Sequence, residues 1–212
     1  MCISLTTLAP PPLATNFINT SVLSGWYTDY PGKDNYSYTL SGNSNYTFAN
    51  GLYTINLSSD NPTYGGYAHH VMNFESSGTG GYDWITSYAS NHEYDDLNDG
   101  VYTGAVTTNG ISGEWIEIQM PYAMRINSME IVGRVAIPNN SPEILYIFGS
   151  NDDGNTFTQL HNETGLNQVS FTIQITGQTE SFSLLRMVVN KLQGGGDVNL
   201  EYWAFTGDVY VP

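Results

Sequence analysis

Residues Gly113 to Ser150 read GEWIEIQMPYAMRINSMEIVGRVAIPNNSPEILYIFGS. Over Trp115 to Met120, the apolar Ile116, Ile118 and Met120 alternate with Trp115, Glu117 and Gln119, the period-2 pattern of a half-buried strand. Pro121 has no N–H to donate and is expected to end that ladder. A second apolar segment covers Ile126 to Val135. After the break Pro138–Asn139–Asn140–Ser141–Pro142 a third covers Ile144 to Phe148. Three strand-like segments in close succession make this run the centre of the chain.

Working outward, the same punctuation continues on both sides. Ahead of the run, Ser37 to Leu40, Tyr46 to Ala49 and Leu52 to Leu57 read as strands, with Asn50–Gly51 as a type I′ hairpin turn because both central residues need positive φ. Behind it, the turn at Ser150 to Asn155 leads into a returning strand at Thr156 to Leu160. Phe171 to Ile175 and Leu184 to Val189 follow, then a flexible Gly194–Gly195–Gly196 crossing, then Val198 to Phe205 and Val209 to Val211. No window carries a sustained helical stripe. Many short strands with regular turn signals predict an all-β, antiparallel β-sandwich or barrel over residues 18–212. Residues 1–17, with Pro10 to Pro12, read as an extended arm, either loose or laid across a neighbouring subunit.

The charge balance narrows the partners. Among 212 residues, 20 are acidic and 5 basic, for a net charge of −15. A nucleic-acid backbone is repelled by such a surface, and so is an anionic membrane. No stretch approaches the ~20 apolar residues of a membrane span, so no membrane insertion is expected. The first residues lack the basic flank of a signal peptide. Only 12% of residues are charged, while 16 are Tyr and 22 are Gly, which suits twisted sheets joined by tight turns. The single cysteine, Cys2, excludes an intrachain disulfide.

Catalytic signatures are missing. His69 and His70 are adjacent, so in a strand their rings point oppositely, and His92 and His161 are distant in sequence. Asp95, Asp96 and Asp99 read as a solvated loop. There is no G-x-S-x-G nucleophile turn, and Gly194 to Gly196 lacks the following Lys and helix of a phosphate loop. The expectation is a protein that is not an enzyme. Loop aromatics carry more information: Trp84, Tyr88, His92 and Tyr94 lie in a loop-dominated stretch and would make a flat apolar face with polar edges. Asn91 and Arg134 would supply directed hydrogen bonds beside it. The same residue types serve a subunit contact equally well. Trp115 and Trp203 sit within strand patterns and are assigned to the core.

The segments GEWIEIQMP, SPEILYIFGSNDDGNTFTQL, LLRMVVN and VNLEYWAFTG, in that order, resemble the discoidin or coagulation-factor type C domain. Upstream, Leu23–Ser24–Gly25, His70 to Phe74 and Gly100 to Gly104 resemble a subgroup found in large DNA viruses and algae. The resemblance implies a galactose-binding-like jelly roll, a non-catalytic role, and loops at one end that meet sugars, lipids or proteins. It also implies a structural calcium. Here the chain departs from the family, whose Phe-Asp-Gly-Asp precedes Thr-x-Trp. This chain has Phe74–Glu75–Ser76–Ser77–Gly78 before Asp83–Trp84. Glu201 also falls one position early before Trp203, and one step along a strand turns a side chain to the other face. Glu75, Asp83 and Glu201 are the calcium candidates. The function expected from the subgroup is a non-enzymatic structural component of a virus particle, a minor capsid or surface protein. It would contact other capsid proteins in an oligomeric assembly and reside in the virion. The alternative is an extracellular lectin-like module recognising galactose-type or host surface glycans.

Overall fold

A computed structural model describes residues 3–6, 33–34, 37–41, 52–61, 71, 84–86, 93–95 and 99–211, with side chains from 53 onward in these ranges and up to 207. The strands in chain order are Ile3–Thr6 (β1), Lys33–Asp34 (β2), Ser37–Ser41 (β3), Leu52–Leu57 (β4), Trp84–Ile85 (β5), Tyr94–Asp95 (β6) and Val101–Tyr102 (β7). They continue with Thr107–Thr108 (β8), Ile111–Ser112 (β9), Glu114–Gly133 (β10), Pro142–Ser150 (β11), Thr158–Glu163 (β12), Ser170–Gln174 (β13), Phe182–Leu192 (β14) and Asn199–Val211 (β15). Pro138–Asn140 form a single 3-10 turn, and the described residues contain no α-helix. The protein is an all-β, antiparallel sandwich.

β10 belongs to both layers. Its first half, Glu114 to Gln119, lies between β14 and β4 in a layer ordered β12-β11-β14-β10-β4-β3-β2. Pairing then lapses until Met124, and the second half, Met124 to Gly133, lies between β13 and β15. Pro121 does end the first ladder, but the extended backbone continues past it. The proline sits in the corner where the strand leaves one layer for the other, a place that needs no N–H donor. β15 also carries β1 on its far edge, Ile3 opposite Val211, and β5 opposite Asn199 and Leu200. The start of the predicted arm is therefore a paired strand. The Pro10 to Pro12 segment lies outside the described residues.

The core follows from strand alternation. Ile116, Ile118 and Met120 point inward with Leu185, Met187 and Val189 of β14, Leu145 and Ile147 of β11, and Ile55 and Leu57 of β4. The other layer contributes Met129, Ile131, Ile173, Trp203 and Phe205. A register shift between Ile126 and Ser128 adds a residue. It moves the inward set from Ile126 to Met129, as a β-bulge must.

Two details differ from expectation. The strand expected at Tyr46 to Ala49 and the turn at Asn50–Gly51 lie outside the described residues, and both edges of β4 are taken by β3 and β10. The Asn–Gly hairpin that is described joins β8 to β9, where Asn109 and Gly110 both have positive φ, 51° and 83°. Trp115 is half-buried on the outer face of its layer, not in the core, whereas Trp203 is fully enclosed.

Candidate functional site

Burying a polar group is unfavourable unless a partner replaces water, so buried polar side chains mark places the sequence maintains for a reason. Here they gather at one end of the sandwich, where β4 and β14 finish and β10, β11 and β15 begin. Ser59, Asp60 and Asn61 follow β4, and Thr86 follows β5. Glu114 opens β10, Asn140 and Ser141 precede β11, and Asn199 and Glu201 open β15. Among the described residues only Thr108, Glu117 and Ser150 are buried polar groups elsewhere.

Backbone and side-chain bonds tie these loops together. Asn61 N–H donates to the Ile85 carbonyl at 2.8 Å, and Thr86 exchanges hydrogen bonds with Val198. Trp84 Nε1 donates to the Ser59 carbonyl at 2.9 Å. Gly195 N–H donates to Asn139 and Tyr94 N–H to Gly196. The triple glycine is thus not a free crossing: Gly195 and Gly196 are buried, and a side chain on Gly195 would collide with Asn140.

The hub is Glu114, whose carboxylate is wholly enclosed. Its Oε2 accepts from Ser58 Oγ and from Ser59 Oγ (2.7 Å). The Tyr102 hydroxyl lies 3.2 Å from Glu114 Oε1 and 3.2 Å from Glu93 Oε2, donating to one at a time. Tyr94 packs edge-on against Tyr102 at 5.0 Å, donates to the Val189 carbonyl (2.7 Å) and accepts from Glu114 N–H (3.1 Å). The hydrogen bond between the two carboxyl groups raises Glu93 to about 7, with burial and the repulsion of Glu114 adding to it. Burial, then the Glu114 charge, pushes the Tyr102 hydroxyl well above its usual range.

The expected site residues are placed as follows. Trp84 and Tyr94 are fully buried. Their rings hold the loop end together and present no surface platform, so that assignment is corrected for both. Tyr88, Asn91, His92, Glu75 and Asp83 lie outside the described residues. Arg134 opens the loop after β10, half-buried, its N–H donating to the Asn199 carbonyl at 3.3 Å. Glu201 is buried and is the extra residue of a bulge, since Val132 faces Tyr202 while Gly133 faces Leu200. A bulge re-aims the side chain it carries. Calcium takes six to eight oxygens, and among the described residues no three His, Cys, Asp or Glu side chains converge; these residues alone do not make a calcium site. His161 is paired with Glu163 at 3.0 Å.

Two features went unread in the sequence. On the outer face, Arg186 lies between Trp115 and Phe157, 3.9 and 4.3 Å from the ring centres, and bonds Glu117 at 2.6 and 2.9 Å. At the opposite end, a cavity of about 220 Å³ is lined by Ser150, Asp152, Thr156, Glu180 and Phe182. Hydrogen bonds from Thr156, then Ser150, hold Asp152 at about 2.

No family model matches the chain, and no curated protein matches it. Solved structures do. One is a carbohydrate-binding module of Clostridium perfringens, CpGH89CBM32-5, in complex with GalNAc-β-1,3-galactose. It is 14% identical, with a TM-score of 0.53, over 73% of this chain and 94% of that one. A family 32 module of C. perfringens NanJ in complex with galactose is 13% identical, with a TM-score of 0.50, over 75% and 93%. The C-terminal domain of a chitobiase from Bacteroides fragilis is 12% identical, with a TM-score of 0.53, over 76% and 95%. At these identities the likeness is one of fold: the chain has the galactose-binding-like β-sandwich that the resemblance in its sequence implies.

Proposed function

We propose that this chain is a non-catalytic carbohydrate-binding module whose loop end, where β10 and β15 meet the 134–140 segment, holds a galactose-type glycan. The observation that carries this reading is the fold shared, over nearly the whole length of each neighbour, with modules whose structures contain galactose and GalNAc-β-1,3-galactose. The loop end supports it physically. Its framework is fixed by buried hydrogen bonds, and a rigid first layer lowers the ordering cost of binding. Arg134 stands at its rim. A calcium ion would join the site only if Glu75 and Asp83 close on Glu201.

The test is calorimetric titration of the full chain with galactose and with the GalNAc-β-1,3-galactose disaccharide, beside a glycan array. Binding is expected in the micromolar to millimolar range, weakened about tenfold or more by Arg134→Ala, as for loss of a hydrogen bond from a charged donor. No retained glycan, together with a defined oligomer in sedimentation, would overturn it. That outcome would favour the second reading, a component of a large-virus particle. The second reading rests on the sequence segments at Leu23 to Gly25, His70 to Phe74 and Gly100 to Gly104.

A further inference from the structure

At the end of the sandwich remote from Arg134, the turn after β11 and the segment entering β14 enclose the cavity of about 220 Å³. Asn151 joins the two walls: its Nδ2 donates to the Ser181 carbonyl at 2.9 Å and its Oδ1 accepts from Ser183 N–H at 3.0 Å. Phe182 is the apolar floor, 3% exposed and pressed against Gly149, where a Cβ would strike the ring. On the turn side, Asp152 Oδ1 accepts from Ser150 Oγ (2.7 Å) and Thr156 N–H (2.9 Å), and its Oδ2 accepts from Thr156 Oγ1 (2.7 Å). Ser150, Asn151 and Thr156 thus spend their donors inside the protein, and what the walls leave over is acceptors. Glu180 is bonded through its backbone carbonyl, by Gln178 Nε2 at 3.0 Å, and among the described residues its carboxylate enters no hydrogen bond or ion pair. No Lys or Arg lines the cavity. Arg186, which lies beside Gly154, is bound to Glu117.

We propose that this cavity is a second binding site, taking a small hydroxylated compound that carries a primary ammonium group, of which an amino sugar is the simplest example. An ammonium brings three N–H donors and a positive charge. Those donors match the Glu180 carboxylate and the lone pairs that the turn leaves on Asp152, which its hydrogen bonds keep ionised. The Thr158 hydroxyl stands on the same wall for a ligand hydroxyl, and the Phe182 floor suits a C–H face, the usual division of labour in a small-molecule site. Size argues against a bare ion: the volume is several times the ~30 Å³ share of one water. Charge argues against a neutral sugar, because two carboxylates with no base among the lining residues are left uncompensated by one. The net charge of −15 adds a field that gathers cations around the molecule. This site is separate from the loop end and stands whether or not that end takes a glycan.

The test is amide NMR on the full chain at about pH 6, where carboxylates are ionised and amines protonated, titrated separately with glucosamine, glucose and calcium chloride. Glucosamine is expected to move the amides of residues 149–158 and 180–183 with a millimolar midpoint. Glucose, which has the same shape without the charge, should leave them in place at the same concentration. Glu180→Gln removes one exposed charge and disturbs no bond of the frame, so its spectrum should otherwise match the wild type. It should bind glucosamine about three- to fivefold more weakly, the scale of an exposed ion pair, and salt at about 1 M should weaken the wild type similarly. Four results would each overturn the site: no movement of these amides under glucosamine, an equal response to glucose, undiminished binding by Glu180→Gln, or calcium moving the same amides at lower concentration than glucosamine. Shifts confined to the loop end would count as the first of these, since they would report the other site.

Discussion

Arg186 shows how one side chain can satisfy several constraints at once. Its guanidinium is stacked between Trp115 and Phe157, bonded twice to Glu117, and within 3.0 Å of Thr108 Oγ1. Asn56 Nδ2 completes the Glu117 carboxylate at 2.8 Å. Both partners are largely withdrawn from solvent, so removing one leaves a nearly buried charge, at a cost of about 3–5 kcal/mol. Arg186→Met should therefore lower stability by that order in urea denaturation. Glu117→Met combined with Arg186→Met should recover most of the loss, because no charge is then left unpaired. Equal losses in the single and double variants would show that ring stacking, not the ion pair, holds the site. None of this was legible in the sequence, since Trp115, Glu117 and Arg186 look like the polar side of ordinary strands. The contact depends on register between β10 and β14, which sequence alone does not supply. The opposite failure affected Trp84 and Tyr94. Glycines and polar residues around them read as loop, yet their rings are buried by segments distant in the chain.

Strands were legible where alternation runs unbroken, as in Leu52 to Leu57, Trp115 to Gln119 and Ile144 to Phe148, because period-2 burial is a local property. They were misjudged where a glycine or proline interrupts the pattern for a tertiary reason. Pro121 marked a corner inside β10, and Gly207 was read as a gap between two strands although β15 continues through it. Gly207 pairs with Ile126 beside the β10 bulge, and a Cβ there would sit on the Arg125 carbonyl oxygen. The glycine is needed for close approach of two backbones. Since a carbonyl fixed in a sheet cannot move aside as a flexible side chain can, Gly207→Ala should destabilise by about 1–3 kcal/mol, the usual cost of overpacking. The readout is a lower urea midpoint with an unchanged slope. A midpoint equal to the wild type would mean that the bulge relaxes freely and that β10 and β15 are less tightly joined than their register implies.

At the scale of the molecule, a net charge of −15 makes ionisation itself a load on the folded state, because compactness brings like charges together. Glu93 adds a specific component with the same sign. Its folded value is raised from 4.5 to about 7, so its contribution is fully present below pH 4.5 and is lost as pH rises through about 7. Asp152 acts in the other direction. Lowered from 3.8 to about 2, it favours folding above its unfolded value and loses that contribution only as pH falls through about 2. Between these limits the melting temperature should be highest on the acid side of neutrality and decline toward alkaline pH. The two causes separate by salt. Diffuse surface repulsion is screened when the Debye length falls from about 10 Å at 0.1 M to about 3 Å at 1 M, whereas a close, partly buried pair is screened far less. Calorimetry at about pH 5.5 and about pH 8.5, in low and high salt, should show salt raising the melting temperature mainly at the higher pH. A remaining decline in high salt should disappear in Glu93→Gln. If high salt alone flattens the wild-type profile, Glu93 contributes nothing beyond surface charge.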